Sequence, residues 1–137
     1  EAHNVREDIL DVLEVHGITF DDRLPNTIDK NALGKAITAG LLGNLMQNMG
    51  KSLFRKVDDT KSNIAIHPNS VFFHNLPHKG SLMVSNEIFV SPRGKTFACN
   101  CLEVKWDWLK DLAPDLYHQA RVRHPENHHK KQHHSYR

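Results

Sequence analysis

The sequence predicts an α+β fold in which helices come first, short strands follow and a short helical part comes after them. Three observations predict this order. Apolar residues recur near every fourth position up to residue 49, apolar and polar residues alternate from Gly50 onwards, and a short helical segment begins at Trp106. Runs of elements of one type are typical of α+β domains, because α/β domains alternate strands with helices. At 137 residues, the chain suits one compact domain with a tail.

Two helices are predicted in the first third of the chain. The first spans residues 4–16, where Asn4 can cap the N-terminus and Glu7 stands three residues later, as in a capping box. A polar connector with Pro25 leads to the second, over residues 30–49, in which leucine or isoleucine stands at every fourth position. This apolar row consists of Leu33, Ile37, Leu41 and Leu45.

Four or five short strands are predicted in the middle of the chain, where the hydrophobic period falls to two. A five-stranded, partly open barrel fits this number and the short hairpins. A small antiparallel sheet packed on the helices fits them nearly as well, so the pattern leaves this choice open. The segments expected to be strands are residues 53–57, 63–67, 71–73, 81–90 and 95–104.

A short helix over residues 106–112 is expected next, and Pro114 suits the first turn of another that ends near Tyr117. Residues 121–137 then carry five Lys and Arg residues, five histidines and one acidic residue. Such a segment buries too little apolar surface to order itself, so residues 118–137 are predicted to be a flexible, basic, His-rich tail. Either a solubilising terminus or weak phosphate contact fits this composition.

The composition argues against a membrane-spanning, secreted or disulfide-rich class of protein. The formal net charge is only +2, no run of 18 apolar residues exists, and the N-terminus has no signal-peptide pattern. The two cysteines, Cys99 and Cys101, are too few for a disulfide framework, so reduced thiols and an intracellular location are expected. Because the chain opens with Glu1 rather than Met, we expect it to be an excised fragment.

Motifs for catalysis or metal binding are weak. Gly50-Lys51-Ser52 is not interpreted as a phosphate loop, because position 45 is Leu45 instead of glycine and the preceding segment is predicted to be helical. No nucleophile stands near an obvious base, so no catalytic residue is expected. The possible metal ligands lack the tight pairs of a structural zinc site. They are His67, His74, His78, Cys99 and Cys101.

A predicted hairpin tip carries the best candidates for ligand contact. Arg93 and Lys95 flank Gly94, Ser91 precedes them and Phe97 follows. Basic and hydroxyl groups suit phosphate contact, and an aromatic side chain beside them can stack on a base. A solvated, charged turn is the alternative interpretation.

Five segments, in order, resemble the C-terminal region of the DEAH-box RNA helicases. They are Asn4–Asp8, Lys35–Gly40, Ile66–Ser70, Val84–Glu87 and Trp108–Pro114. In that family the region holds the end of a helical-bundle (ratchet) domain and an oligonucleotide-binding (OB) barrel. The resemblance implies a helical segment over residues 1–49, an OB-fold barrel with its closing helix over residues 50–117, and the tail over residues 118–137.

The resemblance also implies a function. The chain would be an accessory module that contacts the backbone of single-stranded RNA and helps couple ATPase activity to RNA remodelling, in splicing or ribosome biogenesis. It would be no enzyme by itself and would need no cofactor, while ATP and Mg²⁺ would act in the parent helicase. Expected partners are single-stranded RNA, the motor and ratchet domains of the parent and a protein cofactor, in the nucleus or nucleolus. No membrane partner is expected.

The RNA contacts implied by the resemblance lie at one strand end and at the hairpin tip. Low sequence specificity and marked salt dependence are expected of them. Three departures from the family pattern weaken the expectation. Ser85 replaces a common tyrosine, Cys99 replaces a frequent arginine, and the chain is longer than the family pattern around residues 92–94. A protein-docking module with an apolar surface patch and little RNA binding is the alternative. The expected RNA-binding residues are His67, Asn69, Ser70, Ser91, Arg93 and Lys95.

Overall fold

The computed structural model describes residues 2–19 and 26–123. Predictions for Pro25 and for residues 124–137 of the tail lie outside these ranges. The helices are α1 (Ala2–Val15), α2 (Lys30–Gly40), α3 (Trp106–Leu112) and α4 (Pro114–Arg123), and a 3₁₀ turn spans Leu42–Asn44. The strands are β1 (Leu45–Gly50), β2 (Leu53–Lys56), β3 (Ile64–Ile66), β4 (Leu82–Val90) and β5 (Thr96–Val104).

The five strands close into a barrel in the order β1-β2-β3-β5-β4. Neighbouring strands are antiparallel except β3 and β5, which pair in parallel with Ile64 opposite Thr96 and Ile66 opposite Ala98. The α+β class is confirmed, and the choice that the sequence left open is settled in favour of the barrel. Closure leaves no free sheet edge in this ring.

Strand β1 replaces the second half of the predicted second helix, so that prediction is wrong beyond Gly40. The helix α2 ends there, and Leu45 begins β1. Leu45 and Met46 are both buried, the first beneath the helices and the second inside the barrel. Because a strand buried on both faces loses the alternation of a half-exposed strand, its apolar residues continued the helical spacing of α2 in the sequence.

The predicted strand at residues 71–73 is also wrong, because this segment consists of turns. The N–H of Ser70 donates to the carbonyl oxygen of His67 at 2.9 Å, which bends the chain just before it. Val71 is 87% exposed, whereas Phe72 packs at the edge of the barrel interior. The apolar run therefore anchors a loop by one side chain and does not pair with the sheet.

Helix α1 begins before the predicted start, so Asn4 lies inside its first turn and does not cap it. Its C-terminus has the hydrogen bonds of a Schellman motif. Gly17, with a φ of +64°, donates to the carbonyl oxygen of Glu14, and Ile18 donates to that of Leu13, each at 2.9 Å. No residue of α1 is buried.

The core has two parts, one on each face of the sheet. The inner part receives side chains from all five strands and fills the barrel. The outer part lies between the barrel and helices α3 and α4. The inner residues are Met46, Phe54, Ile64, Ile66, Met83 and Ala98. The outer residues are Leu45, Val57, Leu82, Val84, Val104, Trp108, Leu109 and Ala120.

The buried face of α2 differs from the apolar row that the sequence suggested. Leu33 and Ile37 are exposed, whereas Gly34 and Thr38 are buried. Gly34 lies against the indole of Trp108, where an added Cβ atom would overlap with the ring. A face of small residues thus allows α2 to approach α3 closely.

Polar contacts hold the same junction between α2 and α3. Trp108 Nε1 and Lys105 Nζ both donate to Asn31 Oδ1, each at 3.0 Å. Lys35 Nζ donates to Asp111 Oδ2 at 2.8 Å, and this hydrogen bond lowers the pKa of the Asp111 carboxyl. Burial of the indole N–H without a hydrogen-bond partner would destabilise the fold, and the contact with Asn31 supplies that partner.

Helix α4 continues to Arg123, well beyond the predicted end near Tyr117. The Arg123 guanidinium donates to the carbonyl oxygens of Lys56 at 2.9 Å and Val57 at 2.7 Å. Residues 118–123, predicted to belong to the flexible tail, are therefore helical and attached to the barrel. Their basic side chains supply charge-assisted hydrogen bonds within the fold, which the composition of the segment did not reveal.

No helix within residues 2–19 and 26–123 is both long enough and apolar enough to cross a membrane.

Substitution of Gly34 by alanine tests the close approach of α2 to α3. We expect Gly34→Ala to lower the free energy of unfolding by about 2 kcal/mol, because the new methyl group overpacks against Trp108. Gly40→Ala, in the same helix but with open space at its Cβ position, is the matched control and should leave it unchanged or raise it by up to about 1 kcal/mol, because alanine favours the helix more than glycine does. Urea denaturation monitored by circular dichroism measures both, and equal stability of the two variants would contradict the packing.

Candidate nucleic-acid interface

A cleft of about 980 Å³ opens on the barrel, and we call it the basic cleft. Strand β3 and the start of β5 form its floor. Its rim includes the β1–β2 turn, the end of the β2–β3 loop and the β4–β5 turn, and residues of the β3–β4 loop also line it. The parallel pairing of β3 with β5 brings these three connections together, although they are far apart in the sequence.

Four cationic side chains line the basic cleft, namely Lys51, Lys61, Arg93 and Lys95. No Asp or Glu is among its lining residues, and within the described residues none of the four cations forms an ion pair. Positive charges around a concave surface of low dielectric constant strengthen the positive electrostatic potential inside the cleft. The cleft is therefore suited to a polyanion.

The floor of the basic cleft is apolar and contains Phe97, and a second aromatic residue, Phe73, lines the cleft from the β3–β4 loop. Lys95 Nζ lies 5.2 Å from the centroid of the Phe97 ring, within the range of a cation–π contact. Exposed aromatic faces beside cations are the combination that holds bases and phosphates of a single strand.

The β1–β2 turn places one of the cations by an unusual backbone conformation. Gly50, Lys51 and Ser52 all have positive φ, at +94°, +52° and +61°. Positive φ at both central residues is characteristic of tight type I′ hairpins, which match the twist of the strands. The glycine was predicted to end a helix, but it ends strand β1, and the Gly-Lys-Ser motif contributes Lys51 and Ser52 to the cleft without being a phosphate loop.

The β4–β5 turn is organised by Ser91. Its N–H donates to the carbonyl oxygen of Lys95 at 2.8 Å, and its hydroxyl oxygen accepts the N–H of Lys95 at 3.1 Å. Gly94, with a φ of +76°, donates to the carbonyl oxygen of Ser91 at 2.8 Å. Ser91 itself does not line the cleft, so among the described contacts its role is to position Arg93 and Lys95.

The other predicted contact residues lie around a second cleft of about 160 Å³, which we call the small cleft. His67, Asn69 and Ser70 line it, together with residues of β5. The ring of His67 lies 5.4 Å from that of Phe97, which lines the basic cleft, so these two rings stand between the clefts. The structure thus divides the six predicted residues between two adjacent clefts and one turn.

Sequence reasoning missed three residues of the basic cleft, Lys51, Lys61 and Phe73. Each stands alone in a different loop, and no motif or spacing connects them to Arg93. A weak signal existed for Lys61 alone, which lies in a connection between two predicted strands, whereas Lys51 precedes the first predicted strand and Phe73 was placed inside a predicted strand. Which loops converge depends on the closure of the barrel, which the sequence left open.

Ser85, which replaces a tyrosine expected from the resemblance, is fully buried. Its Oγ lies 2.7 Å from the carbonyl oxygens of Glu87 and Cys99, so its single proton can be donated to either. This position therefore faces the interior of the protein and offers no contact to a ligand.

Both thiols of β5 are free. Burial raises the pKa of the Cys99 thiol, and the negative charge of Glu87 raises it further. Burial also raises the pKa of Cys101, against a smaller opposing effect of a hydrogen bond with Ser85. Within the part of the chain that the structure describes, no three side chains of His, Cys, Asp or Glu are arranged to hold a metal ion.

A closed five-stranded barrel with a ligand cleft beside its β1–β2 and β4–β5 connections is the architecture of an OB fold. The family model described as the oligonucleotide/oligosaccharide-binding (OB)-fold matches residues 33–117. The chain belongs to this family, and its fold supports a nucleic-acid-binding module.

The pH dependence of Cys99 alkylation tests the environment of β5. In a Cys101→Ser variant, the rate of reaction with iodoacetamide should rise with a midpoint above that of a free cysteine peptide, because burial disfavours the thiolate. Glu87→Gln in the same background should move the midpoint down, since it removes a nearby negative charge. A midpoint at or below that of the peptide would contradict the described burial.

Proposed function

We propose that this chain is the accessory RNA-binding OB-fold module of a DEAH-box ATP-dependent RNA helicase. The basic cleft, with four cations, no acidic residue and two aromatic side chains, is the observation that carries the RNA-binding part. The match of the OB-fold family to residues 33–117 and the ordered resemblance of five segments support the helicase part.

In this proposal the cations of the basic cleft contact phosphates of a single strand. Arg93 and Lys95 approach it from the β4–β5 turn, and Lys51 and Lys61 approach it from the other loops. Bases stack on the apolar floor. Because every nucleobase has a flat π-face that can stack in this way, binding in this cleft does not depend on the nucleotide sequence. Release of counterions makes the affinity fall steeply with salt.

The role within a parent protein rests on the family resemblance. The module would help couple ATP hydrolysis in the motor domains to RNA remodelling, in splicing or ribosome biogenesis, in the nucleus or nucleolus. ATP and Mg²⁺ would bind the motor domains, and this chain would bind no cofactor. Its protein partners would be the motor and ratchet domains of the parent and a protein cofactor.

Exposed apolar rows support a second candidate function, that of a protein-docking module. Val5, Ile9 and Val12 lie on one face of α1 and are each more than half exposed, at 52%, 54% and 57%. Leu33 and Ile37 form a shorter exposed row on α2. Amphipathic helices normally bury such a face, so a neighbouring domain or a protein cofactor would be its occupant.

Charge removal at the hairpin tip distinguishes the two functions. We expect Arg93→Ala/Lys95→Ala to weaken binding of a labelled poly-U strand about tenfold at low salt. Because two phosphate contacts are lost, the slope of log affinity against log salt should fall by about 1.4. Fluorescence anisotropy at several salt concentrations measures both quantities.

Lys30→Ala/Lys110→Ala is the matched control, since it removes the same charge from exposed positions on α2 and α3. This variant should bind nearly as the unmodified chain does. Equal weakening by both double variants would indicate only a general charge effect. Absence of binding at low salt, with circular dichroism showing a folded chain, would contradict RNA binding and favour the docking module.

A further inference from the structure

The β4–β5 turn has a feature that the proposed RNA binding does not use, a serine followed directly by a proline. Of the six prolines in the chain, only Pro92 follows a serine or a threonine. Arg93 and Lys95 stand two and four positions after Ser91. Serine-proline with cations shortly after it is the substrate pattern of proline-directed serine/threonine kinases, which select substrates by such charge patterns. Because so short a pattern can arise by chance, the surroundings of Ser91 decide whether it can be modified.

The turn lies where another protein can reach it. Residues 92–95 are exposed, and Ser91 is partly exposed. The hydrogen bonds that the structure describes for this turn are internal, since the N–H groups of Ser91, Gly94 and Lys95 are all bonded within residues 91–95. The turn can therefore open locally, as a kinase requires, without losing a described hydrogen bond to another part of the barrel.

The hydroxyl group of Ser91 is chemically available for phosphoryl transfer. Its oxygen accepts the N–H of Lys95 at 3.1 Å, and its proton has no acceptor among the described residues. In the transfer, Ser91 Oγ attacks the γ-phosphorus of ATP held by the kinase, and the new Oγ–P bond forms while the bond from that phosphorus to the ADP oxygen breaks. The hydroxyl proton passes to the catalytic aspartate of the kinase, and ADP leaves.

We propose that Ser91 is a phosphorylation site for a proline-directed serine/threonine kinase, and that its phosphate weakens RNA binding in the basic cleft. A phosphoserine adds a charge of about −1.5 to −2 at pH 7. Arg93 and Lys95, in the same turn, are two of the four cations that line the cleft. The phosphate would thus offset about half of the positive charge there. The inference rests on the proposed RNA binding and adds its regulation.

The geometry of the turn favours an electrostatic effect. The chain folds back on Ser91, whose carbonyl oxygen accepts the N–H of Gly94 at 2.8 Å and whose hydroxyl oxygen accepts that of Lys95. A phosphate at this position can form charge-assisted hydrogen bonds with the Arg93 guanidinium, so it competes with the phosphates of a bound strand. Because Ser91 does not line the cleft, the phosphate can act without filling the space of a stacked base.

The test uses the full 137-residue chain, ATP and a cyclin-dependent kinase, which belongs to the proline-directed class. Mass spectrometry locates the phosphate, and fluorescence anisotropy measures the affinity for a labelled poly-U strand before and after the treatment. We expect phosphate on Ser91 and an affinity about tenfold lower at low salt. The slope of log affinity against log salt should fall by about 1.4, because two phosphate contacts are lost. Removal of the phosphate by a phosphatase should restore both quantities.

Pro92→Ala is the matched control, because it keeps Ser91 and both cations but removes the proline that the kinase selects. This variant should take up little phosphate at Ser91, and its affinity for poly-U should be the same before and after the treatment. A loss of affinity in treated Pro92→Ala without phosphate on Ser91 would show that another modified residue causes the effect, and it would overturn the inference.

The remaining outcomes separate this inference from the proposed function. Unmodified Ser91, in an assay where the kinase phosphorylates a Ser-Pro peptide, would overturn the site. Phosphate on Ser91 with unchanged affinity for poly-U, or with a loss of affinity that circular dichroism attributes to unfolding, would overturn the regulation and leave RNA binding intact. Absence of poly-U binding by the untreated chain would overturn the proposed function, and the regulation with it.

Discussion

The parallel pairing of β3 with β5 is the constraint on which the candidate site depends. It joins two short segments, Ile64–Ile66 and residues 96–98, and it closes the ring of five strands. A hairpin cannot connect two parallel strands, so a long loop and the strand β4 separate β3 from β5 in the sequence. Once formed, it sets the β1–β2 turn beside the β4–β5 turn and brings Lys51 close to the same cleft as Arg93 and Lys95. Without this pairing the cations would be separate, solvated charges.

The helices support the barrel without covering the cleft. Among the described residues, those that line the basic cleft come from strands and loops and none comes from a helix. Helices α3 and α4 instead complete the outer core. Arg123 donates hydrogen bonds to the carbonyl oxygens at the end of β2. Gln47 Nε2 of β1 donates to the carbonyl oxygen of Ala120 in α4 at 3.2 Å. The helices thus pack against part of the outer face of the barrel, and the loops that line the basic cleft remain available to a ligand.

The sequence predicted those elements whose signals are local. Strands β4 and β5 and the turn between them were found within one residue, because alternation and a Pro-Gly turn mark them clearly. The end of α2 was missed, since Leu45 and Met46 bury opposite faces of β1 and so imitate helical spacing. The site was found in part for the same reason. Arg93 and Lys95 stand together on one turn, whereas Lys61 and Phe73 reach the cleft only through tertiary closure.

Chemical-shift mapping with a short single-stranded RNA tests the central claim, that the basic cleft binds nucleic acid, most directly. Amide resonances of an isotope-labelled chain would be followed during titration at low salt. The account predicts the largest changes at Lys51, Lys61 and residues 93–97, with Lys30 and Lys110 on the helices little affected. Changes confined to α1 and α2, or spread evenly over all basic residues, would contradict it.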